Sequence, residues 1–239
     1  MTAALEVTIA REIGEFELDV AFTVESGMSV LFGPSGAGKS LTLSLIAGLI
    51  RPDTGTVVIN GRVVTDCDRR IHVSPQERRI GMVFQDGLLL PHRSVLDNVA
   101  LAVRQASGRR ARRVVARSWL ERVGAEGFAD RRPGSLSGGQ RQRVALARGL
   151  AGDPALVLLD EPLSSLDSAV RGELGSLIRG VIISSGIPAV LVTHDAEEAE
   201  ELGDVVIAYN DGRVTGRRIV ERPVRPEPQR GAPESTEPA

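Results

Sequence analysis

Eight consecutive residues match the pattern of a phosphate-binding loop, G-x-x-x-x-G-K-[ST]. Small residues let the backbone wrap closely around a phosphate group and direct its N–H groups inward. The loop follows an apolar run, Met28 to Phe32, and precedes a predicted helix, Lys39 to Ile50, whose positive N-terminal end favours the same anion. The motif predicts binding of a nucleoside phosphate. The candidate residues are Gly33, Pro34, Ser35, Gly36, Ala37, Gly38, Lys39, Ser40 and Leu41.

The lysine of this motif is the only lysine among the 29 basic residues of the chain. A compact ammonium on a thin stem fits where a planar guanidinium does not, so a lone lysine among arginines suggests a site that requires it. The motif predicts that Lys39 bridges the β- and γ-phosphates and that the Ser40 hydroxyl binds Mg²⁺. We therefore expect ATP and Mg²⁺ as the ligands.

Two carboxylates, Asp160 and Glu161, directly follow a short apolar run, Ala155 to Leu159. A strand buried on both faces places the residues after it at the ligand-binding edge of a parallel sheet. There, Asp160 is predicted to hold Mg²⁺, directly or through water. Glu161 is predicted to orient the attacking water and to take its proton.

A second candidate anion site opens the predicted helix Gly138 to Ala151. A serine followed by two glycines at the start of a helix presents backbone N–H groups to an anion, as the phosphate-binding loop does. One nucleotide does not obviously need two such helix ends from one subunit. The residues are Ser137, Gly138, Gly139 and Gln140.

The three motifs together resemble those of ATP-binding cassette (ABC) ATPases, and the resemblance covers about residues 1–220. The resemblance implies further site residues: Gln85 as a catalytic glutamine that senses Mg²⁺ or the attacking water, Asp167 in a loop that contacts the opposite subunit, and His194 as a switch histidine at the γ-phosphate. It also implies a head-to-tail homodimer, in which Ser137 and Gly139 of one subunit close over the nucleotide held by Lys39 of the other.

The predicted elements agree with that family's fold. Buried strands alternate with helices along the chain, which indicates an α/β fold with a mostly parallel sheet. Turn residues at Asn60-Gly61 and Asn210-Asp211-Gly212 predict antiparallel hairpins. The resemblance implies a P-loop NTPase fold of the ABC type, with an antiparallel β subdomain and a helical subdomain inserted at about residues 88–150. Residues 221–239 are proline-rich and are predicted to form a disordered tail.

Composition limits the other classes of protein. The chain of 239 residues has a net charge of −2, so a generally basic nucleic-acid binder is not expected. Cys67 is the only cysteine, which excludes an intrachain disulfide and a cysteine-cluster zinc site. The longest apolar run, Leu41 to Ile50, is too short to span a bilayer, and Glu6 and Glu12 interrupt any signal peptide. A soluble cytoplasmic protein is predicted.

Within the family, the segment Ile59 to His92 most resembles the ATPase subunit of molybdate importers. Sulfate, iron and polyamine importers share much of it, and an exporter ATPase or a non-transport ABC ATPase are further alternatives. The resemblance implies a separate membrane permease as partner, with a solute-binding protein acting indirectly, at the cytoplasmic face of the membrane. The transported substrate, molybdate or tungstate, is inferred by analogy alone.

Three of four further features have more than one interpretation. The run Leu88 to Leu90 either packs in the core or forms a groove for a helix of the membrane subunit. Phe16 either stacks on adenine or belongs to the core, and in the second case Ile13 sits at the stacking position instead. An arginine cluster is a solvated helix face or binds anionic lipid or an acidic partner; its members are Arg104, Arg109, Arg110, Arg112, Arg113 and Arg117. An acidic run is predicted to be solvated; it comprises Glu197, Glu198, Glu200 and Glu201.

Overall fold

The computed structural model describes residues 3–221, and within them eleven strands form one continuous mixed sheet. The order across the sheet is β6-β5-β4-β1-β2-β11-β10-β3-β9-β8-β7. The strands are β1 Leu5–Ile13, β2 Phe16–Val24, β3 Met28–Phe32, β4 Thr54–Ile59, β5 Arg62–Asp66, β6 Ile71–His72, β7 Ile80–Val83, β8 Leu156–Asp160, β9 Ala189–Thr193, β10 Val205–Asn210 and β11 Arg213–Ile219.

One half of the sheet is parallel. Strands β10, β3, β9, β8 and β7 run side by side in the same direction. Strands β3, β8 and β9 consist almost wholly of buried apolar residues, because helices cover both faces of a parallel sheet. The predicted α/β fold with a parallel core is confirmed.

The other half is antiparallel and is built from hairpins. Strands β4 and β5 turn at Asn60-Gly61, and β10 and β11 turn at Asp211-Gly212, as the turn residues predict. Strand β1 was not predicted, although Leu5, Val7 and Ile9 alternate with polar residues. It lies between β2 and β4 and joins the hairpins into one layer.

Six α-helices cover the sheet within residues 3–221: α1 Lys39–Ala47, α2 Val95–Ala100, α3 Arg109–Arg122, α4 Gly138–Ala151, α5 Ser168–Ser185 and α6 Ala196–Leu202. Helices α4 and α6 have the predicted bounds. Helix α1 ends before the predicted Ile50, because Gly48 adopts a φ of +76° and its N–H bonds back to Ser44 and Leu45. Within the described residues, no helix combines the length and the apolarity that crossing a membrane requires.

Helices α2, α3 and α4 pack on one another between β7 and β8 in chain order. Their shared core includes Val99, Leu120 and Leu146, each at most 1% exposed. The single helical stretch predicted from Ser94 to Gly124 is interrupted between α2 and α3. Residues 222–239 lie outside the described residues, so the predicted tail stays a prediction.

Candidate functional site

The candidate site lies at one edge of the sheet, where three neighbouring parallel strands end. Strand β9 lies between β3 and β8. The phosphate-binding loop follows β3, Glu161 follows β8, and His194 follows β9. Carboxyl ends of parallel strands share one edge, so these three segments converge although they are far apart in sequence.

The phosphate-binding loop passes directly against β10. A Cβ atom at Gly33 would clash with the backbone oxygen of Tyr209, so this position requires glycine. The loop then turns into α1, whose first N–H groups have no acceptor within the helix. Loop and helix end together form a cradle of donors for an anion.

The Lys39 ammonium lies inside this cradle. The residue is 4% exposed, and its Nζ donates to the backbone oxygens of Gly33 and Pro34, at 2.8 Å each. Burial lowers the pKa of Lys39, and the nearby charges of Glu161 and Asp160 oppose that shift. The ammonium is thus held by two neutral acceptors, which anionic phosphate oxygens can replace with stronger charge-assisted hydrogen bonds.

Ser40 and Asp160 come from different elements and meet at the mouth of the loop. The Ser40 Oγ donates to Oδ1 of Asp160 at 2.6 Å. Burial raises the pKa of Asp160, while the hydrogen bond from Ser40 acts in the opposite direction. A hydroxyl and a carboxylate are the hard oxygen donors that Mg²⁺ prefers, so this pair fits the metal that the sequence predicts.

Glu161 lies next to Asp160 in an uncommon backbone conformation. Its φ is +43°, which costs on the order of 1 kcal/mol in a non-glycine residue. The Glu161 N–H donates to the backbone oxygen of Val192 at 3.1 Å, which fixes the residue against β9. Its Oε2 lies 3.3 Å from Nδ1 of His194. The imidazole is 49% exposed, so the pair borders open space above the loop.

A second layer of polar side chains lies behind His194, and the sequence patterns did not predict it. Thr193 Oγ1 donates to Oε2 of Glu198 at 2.7 Å. Glu198 is 8% exposed, and burial raises its pKa. The prediction that the whole acidic run is solvated is therefore wrong for Glu198. Arg171 on α5 completes this layer through an ion pair with Asp195, at 3.2 Å.

Gln85 is exposed just after β7, and its backbone is held by α4. Gln142 donates through Nε2 to the backbone oxygens of Phe84, at 3.2 Å, and of Gln85. Arg148 donates to the backbone oxygens of Gly87 and Leu88. These contacts could not be predicted from the sequence, because α4 contains other glutamines and arginines and no pattern distinguishes Gln142 and Arg148 from them. A cavity of about 220 Å³ lies between Gln85, Gln142 and the start of α4.

The second candidate anion site caps α4. Ser137 Oγ accepts from the Gln140 N–H at 3.3 Å, and Gln140 Oε1 accepts from the Ser137 N–H at 3.0 Å, which makes a capping box. Ser137 is exposed, and Gly138 packs against Leu166. Asp167 is exposed and caps α5, accepting from the Val170 N–H. The hydrogen bonds of Ser137 stay within its own helix, so this end is free to face another molecule.

An apolar patch lies beyond Gln85. Leu88 is 56% exposed, Leu90 36% and Leu101 47%, while Leu89 packs against the helical core. The alternative of core packing thus holds for Leu89. A groove of about 380 Å³ runs along the patch and includes Leu90 and Leu101.

Two groups of residues whose roles the sequence left open, Phe16 with Ile13 and the arginine cluster, lie elsewhere in the molecule. Phe16 is half-buried and packs against the core on the α1 side of the sheet, whereas Ile13 is 48% exposed. In the arginine cluster, Arg109 and Arg113 lie within 4 Å of one carboxylate, that of Asp97.

The sequence of this chain matches a known family and several curated proteins. Residues 18–164 match the profile of the family described as ABC transporter. The molybdenum import ATP-binding protein ModC of Mycobacterium tuberculosis is 45% identical over 208 residues, which cover 84% of this chain and 56% of that protein. ModC of Brucella melitensis is 43% identical and is covered to 59%. The chain therefore spans somewhat more than half the length of these curated relatives.

One solved structure is similar to this chain over nearly the whole length of both. It is a dimeric ATP-binding cassette in a post-hydrolysis state, bound to ADP and phosphate. It is 32% identical to this chain and superposes with a TM-score of 0.76, covering 91% of this chain and 99% of the other. The fold class that the sequence predicts is therefore confirmed.

Proposed function

The chain belongs to the ABC transporter family, and from that premise we propose that it is the ATP-hydrolysing subunit of an importer for molybdate or tungstate. The observation that carries the ATP-hydrolysing part of this proposal is the meeting of Lys39, Ser40, Asp160, Glu161 and His194 at one sheet edge. These residues supply phosphate binding, a metal-binding pair and a candidate general base. Their arrangement fits phosphoryl transfer to water, in which the protein positions the reactants and stabilises charge.

Nucleotide binding begins with the phosphate-binding loop, Gly33 to Leu41. Its N–H groups and the start of α1 surround the phosphates. Lys39 exchanges its two backbone acceptors for β- and γ-phosphate oxygens. The exchange brings the ammonium of Lys39 to the phosphates, where negative charge accumulates during the reaction.

Ser40, Asp160 and Gln85 would hold Mg²⁺. When bound, Mg²⁺ neutralises phosphate charge and fixes the phosphate geometry. The hydrogen bond between Ser40 and Asp160 keeps both oxygen donors in place before ligands arrive. Gln85 follows β7, the neighbour of β8 in the sheet, in the loop that α4 holds.

Glu161 acts as general base on the attacking water, and His194 and Gln85 position the reactants. The 3.3 Å distance between Oε2 of Glu161 and Nδ1 of His194 supports a joint role for the two side chains at the γ-phosphate. The strained backbone of Glu161 is consistent with a side chain held for chemistry rather than for stability.

The complete site requires two chains. The start of α4, with Ser137, Gly138, Gly139 and Gln140, belongs to a helix that packs with α2 and α3. In the proposed dimer, a second copy brings these residues over the nucleotide. The similar cassette of known structure is dimeric. Asp167 contacts the opposite subunit in this homodimer. ATP thus joins the two chains, and hydrolysis releases them.

The membrane partner is a separate permease, which docks on the patch of Leu88, Leu90 and Leu101. The groove beside Leu90 and Leu101 combines apolar side chains with arginines, which suits an amphipathic helix. The chain then lies at the cytoplasmic face of the membrane, held there by the permease. A solute-binding protein delivers the oxyanion from the other side. The curated relatives, named as molybdenum import proteins, support this substrate.

Replacing Glu161 by glutamine tests the proposal. Glu161→Gln should reduce ATP hydrolysis by on the order of a hundredfold or more, because the general base is lost, while ATP still binds and traps dimers. Phosphate release and size-exclusion chromatography measure the two effects. The matched control is Glu25→Gln, an exposed carboxylate at the opposite end of β3. Hydrolysis at the wild-type rate in Glu161→Gln would contradict the assigned base.

A further inference from the structure

The guanidinium of Arg171, on α5, contacts two other segments beside the candidate catalytic residues, the loop before α5 and the start of α6. Its Nη1 lies 3.2 Å from Oδ2 of Asp195, the residue after His194. Its Nη2 donates to the backbone oxygen of Leu166 at 3.3 Å. Its Nε lies 3.8 Å from Oε1 of Glu198. One side chain therefore ties the loop before α5, α5 itself and the start of α6 together.

Asp195 is held from its other side by hydrogen bonds within the turn after β9. Its Oδ1 accepts from the N–H groups of Glu197 and Glu198, at 2.9 and 3.3 Å, and so caps α6. Its own N–H donates to Oγ1 of Thr193 at 3.0 Å. His194 lies between Thr193 and Asp195, so this network determines where its backbone lies.

We propose that Arg171 is a positioning residue for His194. By holding Asp195, it keeps Nδ1 of His194 near Oε2 of Glu161. The arginine is 36% exposed at its side chain, so it is not part of the apolar core. Arg171 also bonds the backbone oxygen of Leu166, the residue before Asp167. Through this hydrogen bond, Arg171 couples the position of His194 to the loop that would face the second chain of the proposed dimer. The kinetic consequence rests on the proposed ATPase function, whereas the geometric claim does not.

The same helix offers a matched control. Arg179 lies roughly 12 Å further along α5 and makes the corresponding bridge to the other end of α6. It contacts the backbone oxygen of Leu202 and lies 2.7 Å from Oδ1 of Asp204. Replacing either arginine removes a bridge between α5 and α6. Of the two, Arg171 is the one that reaches the residue beside His194.

Histidine side-chain NMR tests the position of His194 without requiring hydrolysis. The chain has three histidines, His72, His92 and His194, and the variant His194→Ala assigns the signal of interest. Arg171→Met should shift or broaden the His194 imidazole resonance and leave the other two unchanged. Arg179→Met should leave all three unchanged. A His194 resonance that does not move in Arg171→Met would overturn the proposal.

Steady-state kinetics test the consequence. Arg171→Met should lower kcat roughly tenfold to a hundredfold with an unchanged KM for ATP, because a displaced group costs rate rather than affinity. Arg171→Lys should recover part of that loss. In a His194→Ala background, Arg171→Met should have no further effect.

The kinetic outcomes separate positioning from stability. Equal losses of kcat in Arg171→Met and Arg179→Met would show a merely structural role and overturn the proposal, as would an undiminished effect in His194→Ala. If the wild-type chain hydrolyses no ATP, the proposed function fails, and the NMR comparison still decides whether Arg171 positions His194.

Discussion

The size of the site around Lys39 determines which cation it accepts. The ammonium bonds two backbone oxygens at 2.8 Å in a site that leaves 4% of the residue exposed. A guanidinium is planar and broader, and its donors form a rigid fork. Every other basic residue of the chain is an arginine. The lysine is therefore best explained by the geometry of the phosphate-binding loop.

The variant Lys39→Arg checks this explanation, since it keeps the charge and changes the shape. ATP affinity should fall roughly tenfold to a hundredfold, the value of one or two charge-assisted hydrogen bonds. Calorimetric titration with ATP measures the effect, and circular dichroism checks that the fold is kept. Lys39→Met should be impaired to a similar degree. Wild-type affinity in Lys39→Arg would mean that charge alone suffices.

The sequence predicts which side chains lie close together when the order of the parallel strands brings them to the same edge of the sheet. Ser40 and Asp160 were each predicted as metal ligands, and the parallel order of β3, β9 and β8 brings them to 2.6 Å. The contacts of Arg171 and Gln142 could not be predicted in this way. Both lie on helices, where orientation depends on packing, and arginine is too common in this chain to mark a site.

A side chain from a distant loop, Arg78, binds the last turn of helix α1 beside Gly48. Arg78 is 2% exposed, and its Nη1 donates to the backbone oxygens of Leu45 and Ile46 at 3.3 and 2.8 Å. Its Nη2 donates to Oγ1 of Thr65 at 2.8 Å. Burial lowers the pKa of Arg78 to about 10, which leaves it charged near neutral pH. A cation at a helix C-terminus is also favoured by the helix dipole.

Replacing Arg78 by methionine should destabilise the fold, because buried oxygens of Ile46 and Thr65 lose the donors that Arg78 supplies. The free energy of unfolding should fall by about 3 kcal/mol, since unsatisfied buried acceptors cost about 1–3 kcal/mol each. Chemical denaturation measures it. The matched control is Arg217→Met, an exposed arginine on β11, which should change stability by less than about 0.5 kcal/mol. An equally small effect in Arg78→Met would contradict the capping role.

The bounds of an element could be predicted where a strand is buried on both faces or where a recognisable capping residue starts a helix. The all-apolar strands β3 and β9 and the serine-capped helix α4 have the predicted bounds. The break between α2 and α3 was missed, because the loop there is rich in residues that also suit helices. The end of α1 was missed because Arg78, a tertiary contact, determines it together with Gly48.

At the scale of the whole molecule, the two candidate anion sites belong to different parts of the fold. The loop of Lys39 lies at the sheet edge, whereas Ser137 caps α4, which packs with α2 and α3. Contacts of Gly138 with Leu166 hold the start of α4 beside the loop that precedes Asp167. A second copy is the simplest source of the missing half of each nucleotide site.

The variant Ser137→Arg tests this arrangement. It should abolish hydrolysis and leave ATP binding to the single chain intact, since Ser137 acts on the nucleotide of the partner in the proposed head-to-tail dimer. Loss of the cap itself costs about 1 kcal/mol. Ser94→Arg is the matched control, because Ser94 caps α2 with the same geometry. Loss of ATP binding by the Ser137→Arg monomer would contradict the head-to-tail dimer.

Mixing two inactive variants extends the test to the dimer. Neither Ser137→Arg nor Lys39→Met should hydrolyse ATP alone. In a mixed dimer, however, the intact Lys39 of the first chain faces the intact Ser137 of the second, so one complete site forms. Phosphate release should therefore appear on mixing, although each mixed dimer has a single working site. If both anion sites served the nucleotide of their own chain, each chain would keep its defect, and the mixture would stay inactive.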